Sequence, residues 1–71
     1  MNESTLPSKL INARQALRLS QNEVADHIGS AQATYNNWEA GRNLPKTKYI
    51  LKLCQLLKLE LNDFLPPPII A

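Results

Sequence analysis

The run from residue 21 to residue 42, QNEVADHIGSAQATYNNWEAGR, constrains the fold most, because it contains two short amphipathic helical patterns with a Gly-Ser turn between them. Apolar residues recur at helical spacing in both patterns: Val24, Ala25 and Ile28, then Tyr35 and Trp38. Gly29 stands one residue beyond the first pattern, where glycine adopts a left-handed backbone at no steric cost. The run therefore predicts two short helices that bury these apolar residues and cross closely at Ala25.

The outer face of the second helical pattern is short, uncharged and rich in amides, and it consists of Gln32, Ala33, Asn36 and Asn37. Amide side chains near the start of a helix suit the adenine edge in a DNA major groove, and an alanine methyl suits the thymine methyl. We therefore predict that these four residues contact bases. The alternative is an ordinary solvated helix face.

Charge limits how the chain can bind nucleic acid. The formal net charge is only +2 for 71 residues, so a nucleic-acid site must concentrate its charge on one face. Polar and basic residues do cluster after the second helical pattern, and others lie at the two helix starts. We predict that this set contacts DNA phosphates: Gln21, Thr34, Arg42, Asn43, Lys46 and Lys48. A solvated surface loop is the alternative.

Composition and motifs argue against other classes of function. The single cysteine, Cys54, excludes an intramolecular disulfide and fits a core thiol in a reducing cytoplasm. We find no signal peptide, no apolar run of membrane-spanning length and no cluster with metal-ligand spacing. Since a nucleophile with its base and a Gly-rich phosphate loop are also missing, we expect no enzyme, no metal and no cofactor.

Caps and breakers divide the chain into five predicted helices, which makes the fold all-α. Their predicted ranges are 8–18, 21–28, 31–39, 47–58 and 61–65. Ser20 and Glu23 form a capping box at the second helix, and Ser30 is predicted to cap the third. Residues 1–65 then form one domain, followed by a Pro-rich tail over residues 66–71. The tail fits either a dimer interface or a linker to a further domain.

Residues spaced along most of the chain, from Leu6 to Leu65, resemble the phage-repressor-like helix-turn-helix family, also called the Cro/C1 or Xre type. The matching residues are Arg14, the run Leu19-Ser20-Gln21-x-Glu23-Val24-Ala25, Ile28-Gly29, Trp38-Glu39-x-Gly41-Arg42 and Pro45. The resemblance implies a compact five-helix, lambda-repressor-like domain with a partly buried ion pair between Arg14 and Glu39. Lys58 departs from the pattern, since glycine commonly ends the fourth helix there, and we expect a different route into the fifth helix.

The resemblance also implies a function. We expect a sequence-specific transcriptional regulator, chiefly a repressor, that binds double-stranded operator DNA as a homodimer. It would read a palindromic operator with the third helix in the major groove. We expect a bacterial or phage-encoded protein that is cytoplasmic and associated with the nucleoid. Two alternatives stay open: an antitoxin whose tail binds a toxin as protein partner, and a protein-interaction module that has lost DNA binding.

Overall fold

The computed structural model describes residues 5–64, which fold as four α-helices and one short 3-10 helix. The α-helices are α1 (Leu6–Ala16), α2 (Gln21–Ile28), α3 (Gln32–Glu39) and α4 (Thr47–Leu57). The 3-10 helix spans Leu61–Phe64. No strand occurs within residues 5–64, so the predicted all-α class is confirmed. The Pro-rich tail over residues 66–71, on which the dimer and linker predictions rest, lies outside the described residues.

The predicted fifth α-helix is a single 3-10 turn in the structure. A segment of about five residues ahead of three prolines has room for one turn, and isolated turns commonly adopt the tighter 3-10 geometry. Lys9 on α1 holds this turn in place, because its Nζ lies 2.8 Å from Asp63 Oδ1. The other Asp63 oxygen accepts a hydrogen bond from the Glu60 backbone N–H at 2.9 Å. Both hydrogen bonds lower the pKa of Asp63, and the bond from Lys9 fastens the 3-10 turn to the first helix.

Side-chain caps decide where the first two helices begin. Thr5 caps α1 by accepting from the Ser8 backbone N–H, so the helix starts two residues before its predicted start. The predicted capping box at α2 is confirmed. The Ser20 hydroxyl accepts from the Glu23 N–H at 3.0 Å, and the Glu23 carboxylate accepts from the Ser20 N–H at 2.8 Å.

The predicted cap of α3 by Ser30 is wrong. Ala31 is the residue at the helix boundary, and no side chain within residues 5–64 caps this helix. Ser30 lies one position too early, and its hydroxyl donates instead to the Ala31 carbonyl at 3.2 Å. The first N–H groups of α3 are therefore left without a side-chain partner among the described residues, next to the amide-rich face.

Each of the four α-helices is followed, one or two positions after its last residue, by a residue with a left-handed backbone; these residues are Arg18, Gly29, Gly41 and Lys58. After each of them, the next backbone N–H donates to the carbonyl five residues earlier, as in Leu59 to Cys54 at 3.2 Å. Lys58 has φ of 59° and so adopts the conformation that glycine would adopt there. The expected different route out of α4 is therefore wrong.

The core lies where α1, α2, α3, α4 and the 3-10 turn meet. Its buried apolar residues are Leu10, Val24, Ala25, Ile28, Tyr35, Trp38, Leu53, Leu57 and Phe64. Both predicted apolar stripes are thus confirmed as core. Tyr35 and Trp38 pack edge to face, with their ring centroids 5.7 Å apart, and the Tyr49 ring packs at a tilt against the indole, with the centroids 5.4 Å apart. Cys54 is half-buried against this core, and burial raises the pKa of its thiol.

We predict that Lys58→Gly stabilises the protein by about 0.5–1 kcal/mol. The left-handed conformation costs an L-residue roughly 1–2 kcal/mol, which outweighs the extra chain entropy of glycine. Urea unfolding of the full chain measures the change. Lys52→Gly, at an exposed position inside α4, is the matched control and should cost about 1 kcal/mol. Equal destabilisation by both substitutions would contradict the prediction.

Candidate nucleic-acid interface

The second and third helices form a helix-turn-helix. Each has eight residues, and the turn between them is short because Gly29 reverses the chain with φ of 80°. Ala25 is fully buried, as predicted for a close crossing. Helix α3 turns Tyr35 and Trp38 into the core, so its opposite side faces solvent.

The predicted base-contacting residues lie along this solvent side of α3. Gln32, Ala33 and Asn36 are exposed, and Asn37 is half-buried. Gln32 is the first residue of the helix, where a long amide side chain has room to extend away from the protein. The face bears no formal charge, so hydrogen bonds and methyl contacts are the interactions it can offer.

A buried ion pair lies directly behind this surface. Arg14 Nε donates to Glu39 Oε2 at 2.6 Å and Arg14 Nη2 donates to Glu39 Oε1 at 3.1 Å, which is a two-bond guanidinium–carboxylate arrangement. Arg14 Nη1 also donates to the Leu19 carbonyl at 2.9 Å. Glu39 is only 7% exposed. The pair therefore joins α1, the approach to α2 and the end of α3.

Electrostatics keep Glu39 ionised in spite of its burial. Burial alone raises the pKa of its carboxyl, but Arg14, the neighbouring Tyr35 hydroxyl and Gln21 outweigh that effect and lower the net pKa. The hydrogen bond to Glu39 likewise raises the pKa of Arg14. The Tyr35 hydroxyl forms no hydrogen bond of regular geometry with the described residues, and burial raises its pKa, so it stays neutral.

Gln21 links the ion pair to the solvent side of α3. Its Nε2 donates to Glu39 Oε1 at 2.9 Å, and its Oε1 accepts from Asn36 Nδ2 at 3.1 Å. A predicted phosphate contact thus lies half-buried between the core and a predicted base contact. Nothing in the spacing of these residues indicates this chain of hydrogen bonds, because Gln21 is 18 residues from Glu39.

A second contact joins the two predicted sets of DNA-contacting residues. Arg42 Nη1 donates to Asn37 Oδ1 at 3.2 Å. Arg42 follows Gly41, whose left-handed backbone turns the chain back beside the end of α3. The guanidinium is therefore held at the edge of the amide-rich face.

Four of the predicted phosphate contacts surround one open groove of about 430 Å³ between α3 and the start of α4. Its lining residues are Thr34, Trp38, Asn43, Leu44, Lys46, Lys48 and Tyr49. The Lys48 ammonium lies 5.0 Å from the centre of the Tyr49 ring, which is a cation–π contact. Gln21 and Arg42 do not line the groove. The structure thus places Thr34 with the basic loop, although it belongs to the helix of the predicted base contacts.

The described part of the chain shows neither a metal-binding cluster nor a membrane-spanning helix. Within it, no group of three or more His, Cys, Asp or Glu residues is arranged to hold a metal ion. None of its helices has the length and apolarity needed to cross a membrane.

Comparison with known proteins gives the family. The helix-turn-helix family model matches residues 10–64, which is most of the chain. The chain therefore belongs to this family, of the Xre or Cro/C1 type, whose members are DNA-binding transcription regulators and not enzymes.

One curated relative is a repressor. The chain is 28% identical over 58 residues to the cryptic phage CTXphi transcriptional repressor RstR of Vibrio cholerae serotype O1. The match covers 82% of this chain and 52% of that protein, so the chain spans about half the length of the relative. No solved structure gives a significant match.

We predict that Arg14→Ala and Glu39→Ala each destabilise the fold by about 2–4 kcal/mol, because each leaves the partner's charge buried and unpaired. The double substitution should cost less than the sum of the two, since it leaves no lone charge. Urea unfolding of the three variants measures this. Additive effects, each below about 0.5 kcal/mol, would show that the pair has no structural role.

The lowered pKa of Glu39 predicts an acid-sensitive fold. A carboxyl whose pKa is depressed by folding contributes stability that is complete above its unfolded pKa, near 4.5, and is lost as the pH falls through the folded pKa. We therefore expect Glu39→Gln to be less stable than the natural chain at pH 7, with the difference narrowing below about pH 4.5. Thermal unfolding from pH 7 to pH 3 measures both. A difference that stays constant with pH would contradict the assignment.

Proposed function

We propose that this chain is a sequence-specific transcriptional repressor that reads a palindromic operator through α3 in the major groove. The observation that carries the proposal is the position of an uncharged, amide-rich helix face directly beside a groove lined by lysines. The family and the similarity to a phage repressor support it. Such a protein acts on nucleoid DNA in the cytoplasm.

The base contacts follow from what each side chain of this face can offer. The Gln32 amide can donate to adenine N7 and accept from N6 at the same time, which gives roughly 1–3 kcal/mol of discrimination. Ala33 offers a methyl for thymine and permits close approach of the helix. Asn36 and Asn37 lie farther along α3, where shorter amides suffice.

The phosphate contacts belong to the groove and its surroundings. Lys46 and Lys48 are exposed at the start of α4, where helix N–H groups add to the attraction for an anion. Asn43 and Thr34 line the same groove. Arg42 lies outside the groove, at the edge of the base-contacting face, where it donates to Asn37. Gln21 keeps one amide hydrogen beyond its bond to Glu39, at the start of α2, and this hydrogen is available to a phosphate.

A homodimer is part of the proposal. A single small domain makes few DNA contacts, and two domains on a palindrome double them. We place the interface at this end of the domain, where the 3-10 turn carries the exposed Leu61. We propose that residues 65–71, which lie outside the described residues, extend this interface.

Two substitutions separate the reading of sequence from the binding of phosphate. Gln32→Ala should weaken binding to an operator, selected from random duplexes by the full chain, by roughly 1–3 kcal/mol and barely change binding to random DNA. Lys46→Ala should weaken both alike and reduce the slope of log K against log salt by about one per half-site. Salt titrations of each variant on both duplexes measure these effects.

Matched controls lie on α4 away from the groove. Gln55→Ala and Lys52→Ala remove an exposed amide and an exposed ammonium that belong to neither predicted set, and we expect little effect on either duplex. If Gln32→Ala weakens operator and random DNA equally, α3 is not the helix that reads the sequence. If Lys52→Ala matches Lys46→Ala, the groove is not a specific phosphate site.

A further inference from the structure

Hydrogen bonds link four polar side chains in series, from the core to the solvent side of α3. Arg14 donates to Glu39, Gln21 donates to Glu39, and Asn36 donates to Gln21, with the last two distances at 2.9 and 3.1 Å. Glu39 is buried, Gln21 is half-buried and Asn36 is exposed. The hydrogen bonds therefore connect an ion pair of fixed charge to a side chain on the proposed reading face.

The chemistry of each group fixes which atom donates and which accepts in each of these hydrogen bonds. An ionised carboxylate only accepts hydrogen bonds, so Gln21 must turn its NH2 group toward Glu39. The Gln21 carbonyl oxygen then lies at the other end of the amide and only accepts. Asn36 must in turn direct its NH2 group to Gln21, which leaves Asn36 Oδ1 unengaged by any side chain within residues 5–64.

We infer that Gln21 is a positioning residue that sets which end of the Asn36 amide is presented to a base, and that Asn36 consequently reads adenine. This inference rests on the proposed function. The presented oxygen accepts from the amino group of adenine, and the second Asn36 amide hydrogen donates to adenine N7. Guanine and thymine offer acceptors to the same oxygen, so they are disfavoured.

Gln21 can be replaced without removing the Arg14–Glu39 ion pair on which the fold depends. Arg14 keeps both of its hydrogen bonds to Glu39 when Gln21 is replaced, so the buried carboxylate retains its cation. Gln21→Met preserves the length of the side chain and removes both the donor and the acceptor. The Asn36 amide is then free to turn over and present its NH2 group, and the preference for adenine is lost.

The test compares base preferences of the full chain with those of Gln21→Met, Asn36→Ala and the control Asn22→Ala. Each folded protein, checked by circular dichroism, selects from a pool of randomised duplexes, and Kd is then measured on the best duplex with each base pair substituted in turn. We expect the natural chain to prefer adenine roughly tenfold at a position where Asn36→Ala loses the preference. Gln21→Met should lose it at that same position and keep the preference that depends on Gln32.

The outcomes separate this inference from the proposed function. Uniform weakening of all duplexes by Gln21→Met would mean a phosphate contact alone, and it overturns the inference. An adenine preference that survives Gln21→Met, or no altered preference in Asn36→Ala, also overturns it while leaving the reading by α3 intact. If the natural chain selects no sequence at all, the proposed function itself fails. Asn22→Ala, an exposed neighbour in α2, should match the natural chain throughout.

Discussion

A carboxylate with 7% of its surface exposed keeps its charge only if a cation and further donors face it, and Glu39 receives both from Arg14 and Gln21. Arg14 supplies two parallel hydrogen bonds and uses its third nitrogen on the Leu19 carbonyl. The pair thereby fixes the end of α3 relative to α1 and to the start of α2. The hydrogen bonds of Gln21 and Asn36 extend from this charge to the amide-rich face.

The second and third helices are short, so the caps and turns at their ends largely determine where each helix begins and ends. Eight residues make barely two turns, and isolated helices of that length are not stable in water. The capping box at Ser20 and the left-handed residues at Gly29 and Gly41 set the bounds of α2 and α3, and the core packing of Tyr35 and Trp38 then stabilises them. The same backbone geometry at Lys58 indicates that the turn, and not the residue type, is what the fold requires.

The proposed roles of the two sets of residues, base contacts on α3 and phosphate contacts beside the groove, follow from their charge. Base edges differ in their donors and acceptors, so neutral amides on α3 suit the task of telling them apart. Phosphates are identical along DNA, so the lysines beside the groove are proposed to add affinity without sequence preference. In this proposal, a net charge of +2 is enough for DNA binding because the cations lie together at one edge of an uncharged face.

The sequence by itself determined the all-α class, the capping box, the two apolar stripes and the helix-turn-helix, because helical periodicity, caps and turns are patterns of neighbouring residues. It also placed Arg14 and Glu39 as partners, although through resemblance to a family and not through spacing. Tertiary structure alone decided the 3-10 turn fastened by Lys9 to Asp63, the groove that joins Thr34 to the basic loop, and the bonds of Gln21 to Glu39 and Asn36. These contacts join residues up to 54 positions apart, and their geometry depends on how the helices pack, which no local pattern encodes.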